Sequence, residues 1–186
     1  MLRELPDISI VPMLVDHAPA LACLVQQNIA HLRAYLPAVV ELASVEQATT
    51  HLHAASDKVR AGEMLEWHLF AGTTLCGSIR LKDIDTDNRK AQIGYFLGSQ
   101  FTGRGIVTRS VRAILAHAFK SLQLHRVELR CAAGNQQSIR VAERLGFTFE
   151  GTLRQNEFLN GAYVDENIYG ILHAEFVQTN ARRPEQ

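Results

Sequence analysis

Cysteine is scarce in this chain of 186 residues, and Cys23, Cys76 and Cys131 lie far apart with no C-x-x-C pair. This argues against a disulfide scaffold or a zinc ribbon and favours a reducing compartment. No apolar run approaches the roughly 18 residues of a membrane span. Residues 1–12 contain Glu4 and Asp7 and lack the apolar core of a signal peptide. We therefore expect a soluble cytoplasmic protein with no membrane partner.

Net charge is also absent, because 19 Lys and Arg residues balance 19 Asp and Glu residues. Without a global positive potential, no direct nucleic-acid partner is expected. The charge is nevertheless uneven, since residues 100–154 contain nine basic and three acidic side chains and both flanking segments are acidic. Phosphate groups need backbone donors and nearby cations. This basic segment is therefore a candidate phosphate site, with solvated arginines on helix faces as the alternative.

The eight histidines show no metal-ligand pattern. His51 and His53 are two positions apart on a predicted helix, so their side chains do not share a face. The other histidines are scattered, without the carboxylate spacing typical of a metal site. The sequence therefore predicts no metal.

Apolar residues make up 47% of the chain, which is enough for one core without disulfides or metals. The turn at Asn160-Gly161 predicts a closing β-hairpin. Hydrophobic periodicity predicts strands at 8–14, 67–70, 76–81, 90–97, 127–131, 147–158 and 163–172, and helices at 17–35, 44–62, 105–121 and 136–145. This order indicates a mixed α+β (α/β) fold class, with one domain over residues 1–178 and a flexible C-terminal tail over 179–186.

The segment Gln100-Phe-Thr-Gly-Arg-Gly105 lies between a predicted strand and a predicted helix. Gly103 and Gly105 have no Cβ, so the backbone can approach a ligand closely. The first N–H groups of the following helix have no partner within the helix and can bind an anion. Arg104 and Arg109 add positive charge at the same end. The loop lacks the Gly-Lys-Ser/Thr of a nucleotide P-loop; a helix-start turn without a ligand is the alternative.

Further along, Asn135-Gln-Gln-Ser138 opens a short helix and Leu145-Gly-Phe147 closes it. Together with the loop, this gives Q-x-x-G-x-G, helix, strand, N-x-x-S, helix and G-F. The pattern resembles the GNAT N-acetyltransferase superfamily over nearly the whole chain. The resemblance implies the GNAT acyl-CoA N-acyltransferase fold, a mostly antiparallel sheet of about seven strands with a splayed parallel pair and flanking helices.

The same resemblance implies acetyl-CoA (CoA) as the cofactor. Its pantetheine arm would lie between the strands at 91–97 and 127–131, where its amides satisfy unpaired backbone groups. Asn135 would bond this arm, or it would simply cap the short helix. The pyrophosphate would be held by the loop residues Gln100, Phe101, Thr102, Gly103, Arg104, Gly105 and Ile106.

A closer resemblance is to the RimJ/RimL branch, bacterial N-terminal acetyltransferases of ribosomal proteins that are often dimers. The branch usually has Trp before the proline of its first block, where this chain has Tyr35-Leu-Pro37. That position lines the acceptor side, so the identity of the acceptor stays open. The resemblance rests on residues 28–37, Ile93-Gly-Tyr95, Gly103-Arg-Gly-Ile106, Asn135-Gln-Gln-Ser138, and Glu150-Gly151 leading to Glu157-Phe-Leu-Asn-Gly161.

Resemblance to RimL-like enzymes gives Glu157 the role of general base, acting directly or through water. It gives Ser138 the role of holding the departing CoA sulfur and returning its proton. The alternatives are a surface strand residue for Glu157 and a helix-start hydrogen bond for Ser138. The oxyanion would be stabilised by backbone N–H groups around Ile93, Gly94 and Tyr95. Cys131 lies beside the expected cleft, but no partner makes it a reactive thiolate, so we expect it in the core.

These residues support three functional hypotheses. The first is an acetyl-CoA-dependent N-acetyltransferase acting on a protein N-terminus of the ribosomal-protein type, by direct attack and with a homodimer as an implied assembly. An α-amino group, with a pKa of about 7.7–8.0 against about 10.4 for lysine, is the easier acceptor to deprotonate. The second changes the acceptor to a small amine, such as an antibiotic, toxin or polyamine. The third is a non-catalytic CoA-binding module, against which Ser138 and Glu157 argue.

Overall fold

A computed structural model describes residues 7–181 and shows one sheet with helices on both faces. Short 3₁₀ turns cover Val15–His17, Glu41–Ala43 and Ser99–Phe101. The strands are β1 (Ser9–Pro12), β2 (Leu65–Ala71), β3 (Thr74–Asp85), β4 (Lys90–Leu97), β5 (Arg126–Ala132), β6 (Thr148–Leu159) and β7 (Ala162–Leu172). The helices are α1 (Ala18–Gln27), α2 (Ile29–Arg33), α3 (Pro37–Val40), α4 (Val45–Arg60), α5 (Ile106–Lys120), α6 (Gln136–Leu145) and α7 (His173–Ala181).

The strand order is β1-β2-β3-β4-β5-β7-β6. Neighbouring strands are antiparallel except β4 and β5, which run parallel. A parallel pair needs a crossover between its strands, and α5 supplies it. The predicted fold class, a mixed and mostly antiparallel sheet with one parallel pair, is confirmed.

The parallel strands β4 and β5 pair over only half of their length. Their register runs from Lys90↔Arg126 to Ile93↔Leu129 and then stops, although β4 continues to Leu97 and β5 to Ala132. On their outer edges, β3 pairs with β4 and β7 pairs with β5 to these ends. Each strand therefore exposes one edge of unpaired peptide groups to a gap, and such groups need partners.

Alternating strand residues fill two hydrophobic layers. Within the helix predicted over 105–121, Val111, Ile114, Leu115 and Ala118 are fully buried against one face of the sheet. Full burial of an aliphatic side chain contributes about 1.5–3 kcal/mol, so this layer holds α5 on the sheet. The opposite layer packs α1 and α4 on the sheet through Leu21, Leu24, Val25, Leu52, Leu75 and Phe96.

The single helix predicted over residues 17–35 is wrong, because the chain leaves the helical conformation at Asn28 (φ −126°, ψ 18°). Asn28 is 3% exposed, and its Nδ2 donates to the Leu24 carbonyl at 2.9 Å. Its Oδ1 accepts from the Ser99 N–H and hydroxyl, both at 2.8 Å. No side chain caps α1, which follows the 3₁₀ turn at Val15–His17 directly. Asn28 therefore ties the first helices to the turn that precedes the glycine loop.

The start of α4 and the C-terminal helix α7 also bear on the sequence prediction. Ser44 caps α4 at the start of the helix predicted over 44–62, accepting from the Gln47 N–H at 3.2 Å. The sequence prediction missed α7, which buries Phe176 against Phe119 with ring centroids 5.2 Å apart. The predicted tail begins inside α7, and residues 182–186 lie outside the described residues. No helix within residues 7–181 has the length and hydropathy of a membrane span.

Replacing Asn28 tests whether its side chain holds the first helices to the turn that precedes the glycine loop. Asn28→Ala removes three hydrogen bonds of a buried side chain, so the free energy of unfolding should fall by about 1–3 kcal/mol. Gln27→Ala is the matched control, because the neighbouring Gln27 side chain is exposed. Urea denaturation measures both variants. Equal stability of the two variants would contradict the assignment.

Candidate active site

A cavity of about 460 Å³, hereafter the first cavity, adjoins the unpaired end of β4. It joins three parts of the chain that lie far apart in sequence, namely the end of β4, the glycine loop and the start of α6. Its lining includes the predicted residues Tyr95, Phe101, Thr102, Gly103, Gly105, Ile106, Asn135 and Ser138.

The glycine loop takes a backbone conformation that favours glycine. Gly103 and Gly105 have φ values of +76° and +71°, and a Cβ built on either would meet nothing within 4 Å. The protein therefore leaves the space above both residues unfilled. No side chain caps α5, whose first N–H groups follow Gly105 directly. Unpaired N–H groups together with the helix dipole make this end of α5 suited to an anion.

The arginines near the glycine loop differ in part from those that the sequence predicted. Arg104 lies 6.0 Å from the centroid of the Phe101 ring, which orders it beside the loop. Arg109 was expected to add charge, but it is bound to Asp7 through two hydrogen bonds of 2.6 and 2.8 Å. Instead, Arg140 and Arg144 of α6 line the first cavity. Their i,i+4 spacing on one helix face was the pattern that could have identified them.

Two hydroxyl groups meet the cavity between β4 and α6. The Ser138 N–H donates to Asn135 Oδ1 at 3.1 Å, so Asn135 caps α6. The Tyr95 hydroxyl is buried and makes no hydrogen bond within the described part of the chain. Burial raises the pKa of Tyr95, and the nearby Ser138 partly offsets this rise. Tyr95 therefore stays protonated at neutral pH and is able to donate a hydrogen bond into the cavity.

A strap over the gap comes from residues 33–36, between α2 and α3. The Tyr35 hydroxyl donates to the Gly134 carbonyl, just after β5, at 2.9 Å. The Asn160 side chain, in the β6–β7 turn, donates to the Arg33 and Ala34 carbonyls at 3.0 and 3.3 Å. The strap thus connects the first helices to the segment after β5 and to the β6–β7 turn. The sequence analysis missed His31 and Leu32, which line the first cavity beside it.

Glu157 lies on β6 just beyond a bulge, where Gln155 has a φ of +50° and the register shifts. A bulge redirects a strand and can re-aim a side chain. Glu157 is half-buried, and burial with the nearby Glu166 raises its pKa, partly offset by Lys82. The same two carboxylates and, chiefly, burial raise the pKa of the Cys131 thiol to about 11. Cys131 is therefore a buried neutral thiol, and Glu157 lies close to it.

The remaining predicted residues do not line the first cavity. Ile93 is buried in the last pair between β4 and β5, and Gly94 is the next residue along β4. Gln100 and Arg104 are exposed in the loop, and Glu157 approaches from β6. Among the described residues, no three His, Cys, Asp or Glu side chains are grouped to hold a metal ion.

Residues 7–148 match the model of the acetyltransferase (GNAT) domain family. The chain belongs to the GNAT acetyltransferase family. This membership accounts for the glycine loop, the splayed strands and the N-x-x-S helix occurring together, and it confirms the predicted family.

Three relatives within or close to this family illustrate the likeness. The solved structure of RimL, a ribosomal α-N-protein acetyltransferase in complex with coenzyme A, is 30% identical with a TM-score of 0.88, covering 92% of this chain and 97% of that one. The ribosomal-protein-serine acetyltransferase of Escherichia coli is 41% identical over 101 residues, 54% of this chain and 56% of that protein. The spermidine N(1)-acetyltransferase of Escherichia coli is 29% identical over 87 residues, 47% of each. The chain thus spans about half the length of these curated relatives.

Proposed function

We propose that this protein is an acetyl-CoA-dependent N-acetyltransferase that acts on the α-amino group of a protein N-terminus, of the ribosomal-protein type. One observation carries the proposal: the unpaired edge of β4 and the uncapped start of α5 border the same cavity. A ligand with amides at one end and phosphates at the other satisfies both features. Such a molecule is the pantetheine–pyrophosphate portion of acetyl-CoA.

Each part of the cofactor has a matching group. The pyrophosphate fits the N–H groups of the glycine loop and of the first turn of α5, with Arg140 and Arg144 supplying charge. The amides of the pantetheine arm pair with the free edge of β4 as an added strand does. The thioester then lies beside Tyr95 and Ser138. RimL, bound to coenzyme A, supports this choice of cofactor.

The proposed reaction is direct attack by the amine on the thioester carbonyl. Glu157 takes a proton from the acceptor nitrogen, directly or through one water. Backbone N–H groups near Gly94 stabilise the oxyanion of the tetrahedral intermediate. The C–S bond then breaks, the acetyl group stays on nitrogen, and the CoA thiolate receives a proton through Ser138. The Tyr95 hydroxyl stands beside Ser138 as a second donor.

An N-terminal amine suits this site because of its low basicity. Its pKa of about 7.7–8.0 leaves a useful neutral fraction near pH 7, whereas lysine at about 10.4 leaves very little. The ribosomal-protein-serine relative supports this acceptor class, which also implies a cytoplasmic location. The spermidine acetyltransferase relative supports a small amine as the second candidate.

A homodimer is also part of the proposal. The edge strand β6 is 12 residues long and largely exposed. Phe149, Phe158 and Tyr163 on β6 and β7 are 53%, 59% and 66% exposed. Exposed aromatic side chains beside an unpaired edge strand favour a partner surface, and a second copy of the chain would cover them.

Release of free thiol from acetyl-CoA tests the activity with a panel of amines. We expect turnover with peptides that carry a free N-terminal serine, and none with the same peptides after N-terminal blocking. Glu157→Gln should lower kcat by roughly 10²–10⁴-fold while the Kd for CoA is unchanged. Because Glu157 must be ionised to act and its pKa is raised, wild-type kcat should increase as pH rises through that pKa.

The matched control is Glu143→Gln, an exposed glutamate on α6. It should retain wild-type kcat. Turnover restricted to small amines would transfer the assignment to the second candidate. CoA binding without turnover of any amine would contradict the enzyme proposal and favour a binding module.

Gly103→Val tests the phosphate loop. A branched side chain at this φ would occupy the space that a pyrophosphate needs, so the Kd for CoA should rise by at least about tenfold, the loss of one charge-assisted hydrogen bond. Gly62→Val is the matched control, because Gly62 has a φ of +75° and equally open space but lies after α4. Calorimetric titration measures both variants. Equal CoA affinities in the two variants would contradict the loop assignment.

A further inference from the structure

A second cavity of about 620 Å³ lies between α3, α4 and the strands β2 and β3. The mechanism proposed above does not use it. Its lining combines carboxylates with an apolar wall that includes Val39, Leu42 and Phe96. The carboxylates are those of Glu41, Glu46 and Glu66.

Glu66 is the informative residue of the second cavity, because it is 94% buried and incompletely paired. Its Oε1 accepts from the Ser78 hydroxyl at 2.7 Å and lies 3.7 Å from His68 Nε2. Its Oε2 is buried without a hydrogen-bond partner among the described residues. His68 Nε2 is likewise buried without a hydrogen-bond partner among the described residues. A buried carboxylate oxygen without a donor is costly, so Glu66 Oε2 is open to a donor from a bound molecule.

The groups around Glu66 keep it charged. Burial raises its pKa, but His68, Arg80 and Ser78 outweigh burial and leave it below the ordinary value. His68 is itself held by His17, with the two Nδ1 atoms 2.8 Å apart. Glu66 is therefore an ionised carboxylate at neutral pH, fixed in position on β2.

The charge balance of the second cavity favours a cationic ligand. Three carboxylates line it against the single guanidinium of Arg80. Burial lowers the pKa of His51, the remaining titratable group of the lining, so His51 is neutral at pH 7. Anions are disfavoured in such a cavity. The apolar wall suits a methylene chain, so the chemistry fits an alkylammonium group rather than a bare metal ion.

The second cavity is next to the reacting centre. Phe96, two residues beyond Gly94 on β4, lines both cavities. Arg80 pairs in register with Gly94, the first β4 residue past the end of the β4–β5 pairing. A Cβ on Gly94 would come within 3.9 Å of the Arg80 side chain. The two cavities therefore share a wall at Phe96, and a molecule bound in the second cavity lies next to the gap.

We propose that the second cavity binds an alkylammonium group of the acceptor through Glu66 Oε2 and so orients the reacting amine toward the gap between β4 and β5. The inference rests on the proposed function, since it names part of the acceptor for the same reaction. Two sources share this chemistry: the side chain of a lysine near a peptide N-terminus, and the distal amine of a diamine.

Matched acceptor pairs test the inference in the wild-type protein. The peptide arm compares N-terminal serine peptides that carry lysine or norleucine at the next positions. The small-molecule arm compares 1,4-diaminobutane with 1-aminobutane. In the arm that is turned over, the cationic member should have a KM about tenfold lower or more, the effect of one charge-assisted hydrogen bond. Equal KM values within each pair would overturn the inference.

The variants Glu66→Gln and Glu63→Gln test whether the lower KM of cationic acceptors depends on Glu66. Glu66→Gln should bring the KM ratio of each pair close to one. Glu63→Gln, an exposed glutamate outside the cavity, should keep the wild-type ratio. A preserved ratio in folded Glu66→Gln would overturn the inference. If that variant does not fold, Glu46→Gln at the exposed start of α4 replaces it, with the same criterion.

Binding without turnover separates this inference from the proposed function. Calorimetric titration of the lysine peptide and of 1,4-diaminobutane needs no reaction. Binding that weakens in Glu66→Gln, with no turnover of any amine, would support the cavity assignment while the enzyme proposal fails. Turnover with no dependence on a distal cation would support the enzyme proposal while the cavity assignment fails.

Discussion

The separation of β4 from β5 beyond Ile93 and Leu129 is the constraint on which the rest of the structure depends. Two strands that could pair to their ends instead leave rows of peptide groups facing a gap. Each strand stays straight because its outer edge is paired, β4 with β3 and β5 with β7. A buried peptide group without a hydrogen-bond partner costs about 1–3 kcal/mol. A ligand whose amides pair with these peptide groups therefore gains binding free energy.

Several long-range contacts hold this gap open and connect its borders. Asn28 ties the first helices to Ser99, at the entrance of the glycine loop. Tyr35 and Asn160 tie the strap to the segments on the far side of the gap. These contacts are one or two hydrogen bonds each, and they link the elements that border the first cavity.

Local sequence patterns predicted the elements that build the site, but not the contacts between distant parts of the chain. Strand alternation and the buried face of α5 depend on neighbouring residues, and the positive φ values of Gly103 and Gly105 are a backbone conformation that glycine adopts most readily. The break at Asn28 depends on Ser99, 71 positions away, and the loss of Arg109 to Asp7 spans 102 positions. The second cavity escaped prediction for the same reason, because Glu41, Glu66 and Arg80 converge from three separate elements.

The central claim is that the unpaired edges of β4 and β5 receive the amides of the cofactor. Amide hydrogen exchange, followed with and without coenzyme A, measures this directly. The account predicts that the gap-facing amides within residues 94–97 and 130–132 exchange at least about tenfold more slowly when coenzyme A is bound, since these amides gain a hydrogen-bond partner. Unchanged exchange in both segments, with protection confined to other parts of the chain, would contradict it.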